Sequence, residues 1–392
     1  MYLCCALIVA WIAGRTAVKF GLPDFLGILI IGIACAPYLP HIAISSPART
    51  FALIVILLRA GLGMNSNTIR LIGWPAIKLG SIPCLTEGFT ITLIAPYLLP
   101  INYLEAMCLG FVIAAVSPAV IVPAMLEFSS KGVGQKKQIP NLVLAGASLD
   151  DIFTLTIFGA TINALSTGQD ISFSDMLVSI PTQILIGIII GLGTAWILHK
   201  IYAKIPKQFF VLISCLIASG FLYWLEKQHL FPMTSLLGIM AIGFYLNEHS
   251  PHAKPLSNSL NSIWNWVKIL LFFFIGTEVN ISSAINGGLI GIAIIAIGLM
   301  GRSIGMWVAL LKTNLSNKEK LFCLISHIPK ATVQAAIGAV ALTLVTNGTI
   351  KLSNGIATGE LILNLAVLSI LITAPIGSVL ISKFGERLLK SN

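Results

Sequence analysis

Apolar runs of about 20 residues, bounded by Gly, Pro, Asn and charge clusters, recur along the whole 392-residue chain. They are too long for the strands of a membrane barrel. In lipid only helices and closed barrels satisfy every backbone polar group internally, so the pattern predicts membrane-spanning helices. Thirteen segments follow, at about 1–20, 22–39, 49–64, 71–99, 103–127, 138–166, 174–200, 208–225, 231–247, 261–280, 286–311, 317–346 and 356–384. The hydrophilic stretches between them, "EFSSKGVGQKKQIP" and "NEHSPHAKPLSNSLNS" being the longest, are linkers and hold no folded soluble domain.

Composition agrees with that reading. Hydrophobic residues make up 57% of the chain, charged residues 10%, and the mean hydropathy is +0.95, against about 25% charged in soluble proteins. The protein is therefore a single multi-pass membrane domain. All seven cysteines lie in apolar segments without CxxC or His/Cys metal spacing and read as small buried side chains. The opening "MYLCCALIVAWIAGRTAVKF" lacks a basic n-region and a small-residue cleavage site, so it reads as a first membrane helix.

The basic residues give orientation. With an outside N-terminus and alternating segments, Arg15, Lys19, Arg70, Lys131, Lys136, Lys137, Lys200, Lys204, Lys207, Lys254, Lys312, Lys318, Lys320, Lys383, Arg387 and Lys390 fall inside. Only Arg49, Lys227 and Lys351 fall in outer loops. One missed or invented segment would scramble this asymmetry, which supports thirteen segments, N-terminus out and C-terminus in the cytoplasm, in an inner or plasma membrane. The net charge of +10 is explained by orientation and contact with anionic lipid, without nucleic-acid binding. The seven tryptophans fall near segment ends, as interfacial anchors.

The fifth and twelfth segments each carry proline near the middle, Pro118 (with Pro123 following) and Pro329, which removes an intrahelical hydrogen bond. Both are expected to be broken helices. Elements seven apart in an alternating chain run in opposite directions, so segments 2–6 map onto 9–13 as an inverted repeat. Matched interruptions are the sequence pointer to a transporter's midplane site. The plainer reading is that proline is common in membrane helices; the matched positions favour the repeat.

Charges inside these segments are costly, about 2.5–3.5 kcal/mol each at a helix centre. Glu87 and Arg302 occupy corresponding segments, four and eleven, and are expected to pair in a structural or gating role rather than as ligands. Lys330, next to Pro329, is expected to neutralise half-helix carbonyl ends at the crossing. Arg59 and Lys268 read as snorkelling or packing residues, Glu278, Glu360 and the loop histidines His249 and His252 as solvated surface. Asp150 and Asp151 stand side by side in "AGASLDDIFTLTIFGA" with no cation assigned. Two adjacent carboxylates in low dielectric do not both ionise cheaply, so a proton or a monovalent metal cation completes the site, in competition. Ser117, Ser148 and Thr154 supply further hard oxygens. The plainer reading is that the aspartates only brace the broken helices.

Taken together, "AVSPAVIVPAML", "AGASLDDIFTLTIFGA", "VILLRAGLGMN", "IPKATVQAAIGAVAL" and "LITAPIG" resemble the monovalent cation/proton antiporter superfamily, in its sodium/hydrogen antiporter branch, over about residues 20–382. The resemblance implies an all-α antiporter fold of about thirteen helices, inverted repeats and two crossed broken helices. It implies ion-transport core helices at about 71–166 and 286–384, a dimerisation panel at about 1–64 and 208–280, and a linker helix at about 174–200. It implies a homodimer in which sodium or lithium exchanges for protons on Asp150 and Asp151, the core moving like an elevator, with a role in pH homeostasis. Many electrogenic relatives carry lysine where this chain has Arg302; arginine does not give up its proton, and the Glu87–Arg302 pair resembles the animal branch, which favours one-for-one exchange. The chain reads as a transporter and not an enzyme, with no nucleotide-binding loop and no prosthetic group. Potassium/proton exchange, an organic-anion uptake carrier using Arg302 and Lys330, and a non-transporting membrane sensor stay open at this point.

Overall fold

The structure is a computed structural model that describes residues 2–38, 45–63, 66, 73–167, 173–202, 208–228, 233, 235–277, 279 and 288–389. Arg70, Lys204, Lys207, Glu278 and Lys390, and the side chains of Arg49, Pro118, Pro123, Ser148 and Lys227, lie outside the described residues.

Among the described residues every regular element is helical. The predicted segments are occupied by α1 (Tyr2–Lys19), α2 (Asp24–Cys35), α3 (Ser45–Gly63), α4 (Trp74–Leu98), α5 (Tyr103–Ala114), α6 (Pro118–Ser130), α7 (Ile139–Thr167), α8 (Phe173–Tyr202), α9 (Gln208–Lys227), α10 (Ser235–His249), α11 (Ala253–Thr277), α12 (Gly288–Ala309), α13 (Asn317–Ser326), α14 (Thr332–Ile337), α15 (Val340–Thr346) and α16 (Ile356–Leu389). Seven of the described helices are long and apolar enough to cross a membrane. The fifth segment is split into α5 and α6, the twelfth into α13, α14 and α15. Ser117, held extended before Pro118, separates the first pair, because proline disfavours helical backbone in the residue before it and is at home at the first helical position. Pro83, Pro96 and Pro375 stay inside continuous helices, so proline alone does not make a break.

One boundary differs from the sequence reading by about two turns. α11 begins at Ala253, inside the stretch read as a linker, because Leu256, Leu260, Trp264 and Val267 recur at helical spacing and are buried on one face.

The two repeats are visible in the packing. Close approach of α3 to α10 depends on Gly61, where a side chain would overlap the Met240 carbonyl and come within 3.0 Å of Gly243 Cα; α2 meets α11 the same way at Gly32, where a side chain would come within 3.0 Å of Gly276 Cα. Each crossing pairs a segment of one repeat with a segment of the other, and exchanging the repeats turns one crossing into the other. Broken segments also begin alike. Asn102 and Glu105 form a capping box at the start of α5, Ser316 and Glu319 one at the start of α13. Glu105 also accepts from the Ser353 amide at 2.5 Å, ahead of α16, while Glu319 takes Lys137 at 2.8 Å, ahead of α7. These ties sit at opposite ends of the bundle, as an inverted repeat requires.

Candidate functional site

A helix end leaves its last carbonyls without partners. At the end of α5 three of them are met by side chains from the other repeat. Gln334 Nε2 donates to Ile113 O at 3.2 Å and Ala115 O at 2.6 Å. Ala114 O accepts from Arg302 Nη2 and from Lys330 Nζ, the latter at 3.1 Å. Both cations thereby oppose the negative end of the α5 dipole. The Ser117 amide donates to Pro329 O at 2.9 Å, the contact where the two broken segments cross. On the far side, Gly377 of α16 lies so close to the Pro329 ring that a side chain there would overlap it.

Around this crossing stands a buried ion network. Arg302 on α12 donates through Nε to Glu87 Oε2 and through Nη1 to Asp150 Oδ1 at 3.0 Å. Lys330 Nζ reaches Glu87 Oε2 at 2.7 Å. The second Asp150 oxygen accepts from the Val116 amide at 3.0 Å. Arg302 can reach α4 because Gly298, Gly301 and Gly305 of α12 face it, with Thr86 Oγ and Pro83 Cα where a Gly305 side chain would stand. Two cations therefore face two carboxylates, all four at 1% exposure or less.

Asp151 differs from its neighbour. Adjacent helical residues point about 100° apart, and this rotation turns Asp151 away from Arg302. Its Oδ1 is buried without a hydrogen-bond partner, as are Ser117 Oγ and Thr154 Oγ1. Buried polar atoms are almost always paired, so oxygens left unpaired call for a partner. A carboxylate with two hydroxyls is a hard-oxygen set that suits a small alkali cation or a proton.

The sequence reading left both aspartates without a cation; the structure gives Asp150 one and Asp151 none. Glu87 and Arg302 meet, and Lys330 lies on an α5 carbonyl and on Glu87. Several side chains were missed: Gln334, Thr332 and His327 are buried, each with an unpaired polar atom, and the Thr373 hydroxyl accepts from the Lys330 amide at 2.9 Å. Their signal was polarity just beyond a break, in "SHIPKATVQ". Lys268 pairs with Asp24 at 2.5 Å and Arg59 with Asn261 at 2.8 Å, partners the sequence reading did not name. Trp264 is buried beneath Arg59, and Cys4 and Cys5 are exposed on α1.

A cavity of about 190 Å³ lies between α7, α14 and α15 on one side and α3, α9 and α10 on the other. Phe158, Asn163, Glu226, Ile337 and Asn347 are among its lining residues. Phe158, two turns along α7 from Asp151, is its nearest α7 residue to the site.

The sequence model described as "Sodium/hydrogen exchanger, transmembrane" matches residues 4–386. The chain is 34% identical over 391 residues to sodium/hydrogen exchanger 9B2 of Homo sapiens, covering 94% of this chain and 70% of that one. It is 29% identical over 382 residues to sodium/hydrogen exchanger 9B1 of Homo sapiens, covering 94% and 73%. In fold it is similar to the sodium proton antiporter MjNhaP1 of Methanocaldococcus jannaschii, with a TM-score of 0.83 at 19% identity, over 100% of this chain and 97% of that one. With the all-helical fold, the broken helices and a family match spanning nearly the whole chain, the protein is a multi-pass membrane protein of the sodium/hydrogen exchanger family.

Proposed function

We propose that the chain exchanges sodium or lithium for protons across the membrane, one for one, with cation and proton competing for Asp151. The competition expected of the aspartate pair narrows onto one member. Asp150 is taken by Arg302 and the Val116 amide, whereas Asp151 Oδ1 is buried and unpaired, with Ser117 Oγ and Thr154 Oγ1 among the other unpaired buried oxygens, and the contrast between the two aspartates carries the reading. Arg302 and Lys330 are matched by Glu87 and Asp150, so a single positive charge balances Asp151. Arginine keeps its proton under ordinary conditions, which suits a structural role for that pair. An organic-anion carrier would need free cations at this depth, and both are engaged.

In this reading α4–α7 and α12–α16 form the moving core, α1–α3 with α9–α11 form a panel that pairs two copies, and α8 links them. The cavity between core and panel supports ion access along their boundary. An N-out, C-in orientation in an inner or plasma membrane, supported by the basic residues, places the Glu319–Lys137 tie inside.

The test is a proteoliposome assay with an internal pH dye. Added sodium should dissipate an imposed proton gradient with the wild-type protein and not with Asp151→Asn, and clamping the membrane potential should leave the rate unchanged. Sodium-driven proton movement that survives Asp151→Asn would overturn the assignment; a response to potassium alone would change the cation.

A further inference from the structure

The cavity between core and panel changes character along its length. On α7 it is lined by Phe158 on the side of the crossing and by Asn163 farther along. The other repeat does the same, with Ile337 at the end of α14 and then Asn347 just past α15. Phe158 and Ile337 are buried. The cavity therefore has an apolar end towards Asp151 and a polar end away from it. Its volume of about 190 Å³ has room for several waters, each of which takes about 30 Å³ in the liquid.

Glu226 is the last residue but one of α9, two segments after α7 and so running the same way, which puts it at the polar end. Among the described lining residues it alone is an Asp, Glu, Lys or Arg. Its Oε2 accepts from the Ser235 amide at 3.1 Å and from the Ser235 hydroxyl, at the start of α10. That cap does not call for charge, because the amide oxygen of a glutamine accepts from the same two donors. None of the described ion pairs involves Glu226. A half-buried carboxylate in a membrane helix, without a cation of its own and beside a cavity that admits water, marks an ion path.

We propose that Glu226 is an entry residue for the transported cation: it concentrates small hydrated monovalent cations at the polar end of the cavity and so sets the affinity for sodium from one face of the membrane. This rests on the exchange reading given above. One negative charge in a cleft walled by low-dielectric protein focuses its field there and raises the local concentration of cations. Protons are drawn by the same field, so the concentrations needed change while the competition at Asp151 does not. Asn163 and Asn347, which add neutral amides to the same end, leave Glu226 as the source of that field.

The experiment compares wild type with Glu226→Gln in right-side-out and in everted membrane vesicles, with sodium varied on the outer face of each at mildly alkaline pH, where protons compete least. The variant should need about threefold or more sodium for half-maximal proton movement in one vesicle orientation and the wild-type concentration in the other, with the rate at saturating sodium retained. Raising ionic strength with choline chloride should move the wild-type value towards that of the variant and leave the variant's almost unchanged, since salt screens the charge. Ser235→Ala keeps the charge and loses one bond of the cap, so it should follow wild type. A half-maximal concentration unchanged in both orientations, one raised equally in both, or the same rise in Ser235→Ala would overturn the proposal. Where Glu226→Gln does not reach the membrane, Asn163→Asp adds a second carboxylate to the cavity and should lower the sodium requirement on one face; no change, or an equal change on both faces, overturns it. Asp151→Asn, run alongside, separates the two readings. If it still exchanges, the site assignment fails; if it is dead and Glu226→Gln matches wild type, only the entry role fails.

Discussion

Replacing Arg302 by alanine removes its contacts with Glu87, Asp150 and Ala114 O together and leaves Lys330 alone between two buried carboxylates. Removing one partner of a buried ion pair costs about 3–5 kcal/mol. Lys330 still reaches Glu87, so the lower end, about 3 kcal/mol, is expected. Glu87→Ala leaves two cations against Asp150, a similar imbalance. Removing both residues restores one cation to one carboxylate. The double variant should then be no less stable than Arg302→Ala, a departure from additivity of about 3 kcal/mol, at the upper end of the range seen for contacting residues. The assay is thermal melting of the four purified proteins in one detergent and lipid mixture at one scan rate, because such unfolding is commonly irreversible and rate-dependent. A double variant lying below Arg302→Ala by as much as Glu87→Ala lies below wild type would refute the shared network.

Two further outcomes are expected. Gly305→Val should cost about 1–3 kcal/mol through overpacking and also abolish exchange by lifting Arg302 off Glu87, since Pro83 Cα would lie 2.9 Å from the new Cβ; Gly193→Ala on α8, with open space around it, is the control and should melt as wild type does. At the end of α10, hydrogen bonds from the Ser66 hydroxyl and amide hold the Glu248 carboxyl below the usual glutamate range. A depressed folded value means the tie is present above the ordinary glutamate pKa and is lost as pH falls through the lowered one, so the protection of the Ser66 amide against hydrogen exchange, taken relative to its intrinsic rate at each pH, should fall in acid and not in alkali.

Much of the architecture could be read before any coordinates. Apolar length fixed the membrane class, matched prolines located both breaks, and buried charge singled out Glu87, Asp150, Asp151, Arg302 and Lys330. The start of α11 was misplaced because its first turns are amphipathic, and the polar face read as linker. The partners of Lys268 and Arg59, Asp24 and Asn261, could not be read because they come from distant segments that no local pattern connects to them.

By itself the sequence determined that charge must be buried in lipid and, through the matched positions of Pro118 and Pro329, where two segments break, since these follow from the cost of unpaired groups in hydrocarbon and from the missing proline N–H at corresponding places in the two repeats. Which aspartate is free was decided only by the tertiary structure. Asp150 and Asp151 are the same residue type in the same apolar run, and what separates them is a turn of about 100° on α7. The close approach of α12 to α4 carries Arg302 to one of them and not the other.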